Sequence, residues 1–91
     1  EVLEQVKAFL LGNAIDPTAL MTVVEDYLVE KQPKARKAAA IAAGAIRFGQ
    51  DRDLFGGKSF TVKQISEDFG ISASSLNKYH QELLAYGTVT A

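Results

Sequence analysis

The densest run of side chains able to do chemistry in this chain is Ser72-Ala73-Ser74-Ser75-Leu76-Asn77-Lys78. Ser74 and Ser75 carry hydroxyls that bond a phosphate or either groove edge of a duplex. Asn77 carries an amide that can pair with adenine through two hydrogen bonds, and Lys78 a cation suited to the phosphate backbone. Short polar residues are equally what a helix start requires, because their oxygens accept the orphan amides of the first turn, and both readings stand at this point. Lys34, Arg36, Lys37 and Lys63 supply further positive charge upstream. The remaining candidates point away from catalysis. His80 is the single histidine and has no companion with which to hold a metal; it falls on an apolar stripe, where a packed, hydrogen-bonded role is expected. Gly56-Gly57-Lys58-Ser59 looks like the end of a phosphate-binding loop, but Arg52 stands where that motif needs its first glycine. Glu25-Asp26 and Glu67-Asp68 are sequence neighbours, which diverge by about 100° on a helix and so suit solvated faces better than paired acid-base work. With no cysteine there is no thiolate, disulfide or cysteine-based zinc site. Neither an enzyme nor a cofactor is expected.

The elements that must position these residues are helical. Val2, Leu3, Val6, Phe9 and Leu10 recur at helical spacing, with Gly12-Asn13 as the expected left-handed stop. Asp16 before Pro17 starts a second helix, whose inner face is Leu20, Val23, Val24, Tyr27 and Leu28 and which runs towards Lys31, where Pro33 forces Gln32 out of helical geometry. A third helix over roughly 34–48 carries seven alanines and Gly44 and is expected at the centre of the bundle. The polar, glycine-rich segment 49–59 is expected as the longest and most mobile loop. Thr61 to Gln64 reads as a capping box for a fourth helix over 62–69, ended by Gly70. Ser72 caps a fifth, with Leu76, His80, Leu83 and Leu84 on one stripe and Gly87 as its expected stop. No segment alternates with period two. The expected class is all-α, a single five-helix domain, with a helix-turn-helix over about 61–87.

At this point the residues resemble a known family. Thr61-Val62-Lys63-Gln64-Ile65-Ser66, then Phe69-Gly70-Ile71-Ser72, then Leu76 through Gln81-Glu82-Leu83 is similar to the end of a cyclin-box repeat of transcription factor B. Pro33 followed by Ala38-Ala39-Ala40-Ile41-Ala42-Ala43 resembles the alanine-rich third helix of that repeat. The resemblance covers the chain once. It implies a cyclin-like bundle whose last two helices form a helix-turn-helix that meets promoter DNA, with other surfaces turned to proteins of the transcription machinery. On that basis Ser74, Ser75, Asn77 and Lys78 occupy recognition-helix positions, and Lys34, Arg36 and Lys37 lie where the family places cations near the phosphates. The family has two repeats and a zinc ribbon, whereas this chain holds one repeat and no ribbon. Asn77 and Tyr79 stand where arginines are usual, and the loop after the third helix is longer.

Bulk properties frame the same picture. A chain of 91 residues with 47% hydrophobic and 23% charged content buries about two-thirds of its unfolded surface, enough for one core. Its longest apolar stretch, 38–46, is about half a membrane span, so no membrane association is expected. The net charge of −1 is segregated: residues 1–30 carry −5, residues 31–63 carry +6 and residues 64–91 carry −2. That pattern supports two expectations. One is a transcription module on duplex DNA. The other is a cyclin-type protein-interaction adaptor, with an acidic face for a basic partner and exposed Phe55, Phe60 or Tyr86 for docking. The expected location is beside DNA, in a prokaryotic cytoplasm or a nucleus. The start at Glu1 suggests a trimmed piece of a longer chain, and the single repeat raises the expectation of a homodimer that imitates the tandem arrangement.

Overall fold

The computed structural model describes residues 2–32, 38–55 and 57–90, with side chains described as far as Tyr86. Five helices follow in order: α1 (Val2–Gly12), α2 (Thr18–Lys31), α3 (Ala38–Asp51), α4 (Val62–Phe69) and α5 (Ala73–Thr90), and no strand occurs among the described residues. The protein is an all-α five-helix bundle. Its centre is α3, which packs against each of the other four helices.

Composition explains why α3 takes that place. Ala40, Ile41, Ala42, Ala43, Gly44, Ala45 and Ile46 are all buried, so this helix is apolar round its whole circumference. Methyl groups keep it thin and let its neighbours approach. The closest approach is at Gly44, where a Cβ would sit 2.7 Å from Tyr79 Cβ and 2.9 Å from the backbone of α5. Around it lie Val6 and Leu10 of α1, Leu20, Val24 and Tyr27 of α2, Ile65 of α4 and Leu76 and Leu83 of α5, in one buried cluster.

The helix starts follow local chemistry. Asp16 Oδ1 accepts from the Thr18 amide at 3.0 Å and from its hydroxyl at 2.7 Å, with Pro17 in right-handed helical conformation. Thr61 Oγ1 accepts from the Gln64 amide while Gln64 Oε1 accepts from the Thr61 amide, each at 3.0 Å, the reciprocal capping box. Ser72 Oγ accepts from the Ser75 amide at 3.2 Å.

The helix ends differ from expectation. The left-handed residue after α1 is Ala14 (φ 57°), with Gly12 still helical. The Ile15 amide bonds Leu10 O at 2.8 Å and the Ala14 amide bonds Leu11 O at 3.1 Å, a Schellman motif. The same pattern closes α3 on Asp53 (φ 56°), with the Leu54 amide on Gly49 O, and closes α4 on Gly70, with the Ile71 amide on Ser66 O. Each motif delivers the next apolar residue, Ile15, Leu54 or Ile71, onto the core. Gly87, expected as a stop, is followed by polar Thr88, and α5 continues through it to Thr90.

The loop expected from Gly49 begins three residues later, because Gly49, Gln50 and Asp51 belong to α3. The remaining connection is held to the body. Phe55 is buried at 4% exposure on Gly49, where a Cβ would meet its ring at 2.8 Å. Phe60 lies between Phe55 and Phe9, with ring centroids 6.0 and 5.1 Å away, and Phe9 also meets Phe69. The Phe60 amide donates to Gln50 Oε1, and Lys58 Nζ to Asn13 O. The expectation of exposed docking aromatics is thereby corrected. Phe55 and Tyr86 are buried and Phe60 is half-buried, because this small core draws its large rings from the loop and the last helix as well as from the helix faces.

Candidate nucleic-acid interface

The segment from α4 to α5 is a short helix, a turn at 70–72 and a long helix. Glycine suits the pivot, since it takes a left-handed conformation without strain: Gly70 has φ 66°, and its amide bonds Glu67 O. The long helix then divides by face. Leu76, Tyr79, His80 and Leu83 are buried, while Ser74, Asn77, Lys78 and Gln81 are exposed. The exposed four fall at i, i+3, i+4 and i+7, one stripe of a helix beginning in its first turn.

This division sorts the residues expected to meet DNA. Ser74, Asn77 and Lys78 share the exposed stripe. Ser75 is half-buried, with its amide and hydroxyl both engaged by Ser72, so its role is capping. Tyr79, expected at an arginine-type recognition position, is 5% exposed and packs on Gly44, so it belongs to the core. The Lys78 ammonium lies 5.4 Å from the centre of that ring, which holds the side chain along the helix. Lys63 is exposed on α4, among the exposed acids Glu67 and Asp68. Lys34, Arg36 and Lys37 lie outside the described residues. Gln81 completes the stripe; its i+7 spacing from Ser74 was readable in the sequence.

Two further cations are engaged within the protein. Arg47 reaches Asp51 across one helical turn at 3.7 Å, and the Arg52 guanidinium lies 5.4 Å from the Phe48 ring centre. Asp51 also binds His80 on α5. An ionised carboxylate only accepts, so His80 Nε2 is the donor in this bond. At 7% exposure the imidazole is a packed, satisfied strut between α3 and α5. Among the described residues no group of three or more His, Asp or Glu side chains converges as for a metal ion, and no helix is long and apolar enough to cross a membrane.

A second group of polar contacts ties α2 to the other end of α5. Tyr27 donates its hydroxyl to Glu82 Oε1 at 3.1 Å, and Tyr86 stacks edge-on against Tyr27 at 5.7 Å. Burial foremost, then the Glu82 carboxylate, pushes the Tyr27 phenol far above its ordinary pKa of 10.0. The Tyr86 phenol moves the same way, through burial and then its hydrogen bond to Glu30. No known protein family, curated protein or solved structure matches this chain.

Proposed function

We propose that this protein is a DNA-binding module of the transcription-initiation type, in which α4 and α5 act as a helix-turn-helix and the N-terminal half of α5 meets the major groove. The observation that carries the reading is the exposed stripe of Ser74, Asn77, Lys78 and Gln81. These four side chains are exposed, while Leu76, Tyr79, His80 and Leu83 on the opposite face of the same helix are buried. In a helix-turn-helix the first turns of the second helix meet the bases. Asn77 is the base-reading residue of this proposal, through its two-bond match to adenine. Lys78 and Lys63 serve the phosphates, and Lys34, Arg36 and Lys37 join them on the strength of the sequence resemblance. The cyclin-like topology and transcription-machinery partners belong to the same proposal.

The test is fluorescence anisotropy of a generic duplex at about 50 and about 200 mM salt. Binding through several phosphates weakens by orders of magnitude over that range, and Lys78→Ala lowers the salt slope by about one unit. Arg36→Glu with Lys37→Glu reduces binding to every sequence, whereas Asn77→Ala weakens discrimination more than overall affinity. A folded protein that binds no duplex at low salt removes the proposal. It would leave the second reading, an interaction adaptor without sequence-specific DNA binding, which the charge of −5 on residues 1–30 favours.

A further inference from the structure

Two open hollows meet at Tyr86. One, of about 380 Å³, lies between α2 and α5 over Tyr27, Glu82 and Ala85; the other, of about 330 Å³, follows α2 past Glu25, Asp26, Val29 and Glu30. Tyr86 lines both, so they join as one groove. Its exposed apolar part centres on Val29, since the Tyr27 and Tyr86 rings are buried. Val29 is 68% exposed, more than any other large apolar side chain among the described residues. Among the described residues the groove's polar part is mainly of one sign: four carboxylates from Glu25, Asp26, Glu30 and Glu82, against the ammonium of Lys31.

That charge is placed where it opposes folding. Asp26 and Glu30 are one turn apart and repel. Both lie in the C-terminal half of α2, with Glu30 in its last turn, beside the negative end of the helix dipole. Cations brought to this face would relieve both effects. Nucleic acid is excluded from the groove by sign, and symmetric pairing of two copies through it would set like charges against each other.

We propose that the groove docks a basic amphipathic helix of a partner protein. An aliphatic side chain of the partner covers Val29 beside the Tyr86 ring, and its lysines or arginines meet Glu25, Asp26, Glu30 and Glu82. A helix laid between two helices is the mode that suits such a groove. Tyr86 lies nine residues beyond Asn77, about 13 Å along the helix axis. The inference therefore stands whether or not α5 meets DNA.

The test uses a fluorescein-labelled peptide of about 14 residues, leucine and lysine arranged at helical spacing, and a twin with glutamate in place of lysine. The lysine peptide binds and the glutamate twin does not. Val29→Ser, and separately Asp26→Asn with Glu30→Gln, each weaken the lysine peptide about tenfold. These positions are exposed, and unchanged far-UV circular dichroism checks that the variants fold. Amide signals that move on titration fall in 25–31 and 82–86. Equal binding of the two peptides, no binding at low salt, unaltered affinity in both variants, or shifts confined to other helices would each overturn the proposal. So would a concentration-dependent dimer abolished by Val29→Ser, which would assign the face to a second copy.

Discussion

Alanine at a left-handed position and glycine at a helix crossing make opposite predictions from the same missing or present methyl group. Ala14 holds φ 57°, a conformation that costs a residue with a Cβ about 1 kcal/mol. Ala14→Gly relieves that strain, less the extra entropy of glycine in the unfolded chain, and raises stability by about 0.5 kcal/mol. Urea denaturation monitored by circular dichroism reads the change; a lower midpoint would contradict it. At Gly44 the added methyl meets Tyr79 Cβ at 2.7 Å. Overpacking there outweighs the better helix propensity of alanine, so Gly44→Ala lowers stability by about 1–2 kcal/mol. A Gly44→Ala protein as stable as wild type would show that α3 and α5 do not cross this closely.

Elements in this fold are tied by groups that titrate, and the two ends of the pH scale test different ones. At the start of α2 the Thr18 amide and then its hydroxyl hold the Asp16 carboxyl below its usual 3.8. A depressed carboxyl contributes stability above its unfolded value and loses it as pH falls through the folded one. Asp16→Asn therefore flattens the decline in helicity below about pH 4, while its amide oxygen still caps the helix at neutral pH. Between α2 and α5 the sign is reversed. Tyr27 keeps its proton more firmly when folded, so its contribution is complete below pH 10 and is lost as pH rises further. Tyr27→Phe costs about 1 kcal/mol at neutral pH through the lost bond to Glu82. It also makes the alkaline unfolding curve shallower, and only partly so, because Tyr86 titrates in the same direction. Identical alkaline curves for Tyr27→Phe and wild type would refute that assignment.

At the scale of the whole molecule, the buried apolar residues among those described belong to one cluster around α3. One core implies one cooperative transition, so thermal unfolding followed at the tyrosines and in the far ultraviolet should coincide. Separate midpoints would divide the chain into two folding units. The radius of gyration of 11.6 Å agrees with about 12 Å for a compact chain of this length. The single repeat suggests a homodimer, and the mass measured across a wide concentration range tests it: a strictly monomeric mass would remove it.

Much of this architecture was legible in the residues. Helix number and order, the apolar faces of α1 and α2, the central place of α3, the starts at Asp16, Thr61 and Ser72, and the buried His80 all follow from spacing and capping chemistry, which are local. The candidate interface was legible in part: Ser74, Asn77 and Lys78 share an exposed stripe, while Ser75 and Tyr79 leave it. A helix N-terminus declares itself through a side chain that reaches its own backbone. A C-terminus here depends on where the next apolar residue finds a place. Thus Ala14 and Asp53 took left-handed positions so that Ile15 and Leu54 could pack, and Gly87 did not stop α5. The burial of Phe55 and Tyr86, and the meeting of Val29 and four carboxylates in one groove, needed the tertiary structure, because they join side chains far apart in sequence. Periodicity within one helix says which side faces inward; only the packing of helices decides what stands beside it.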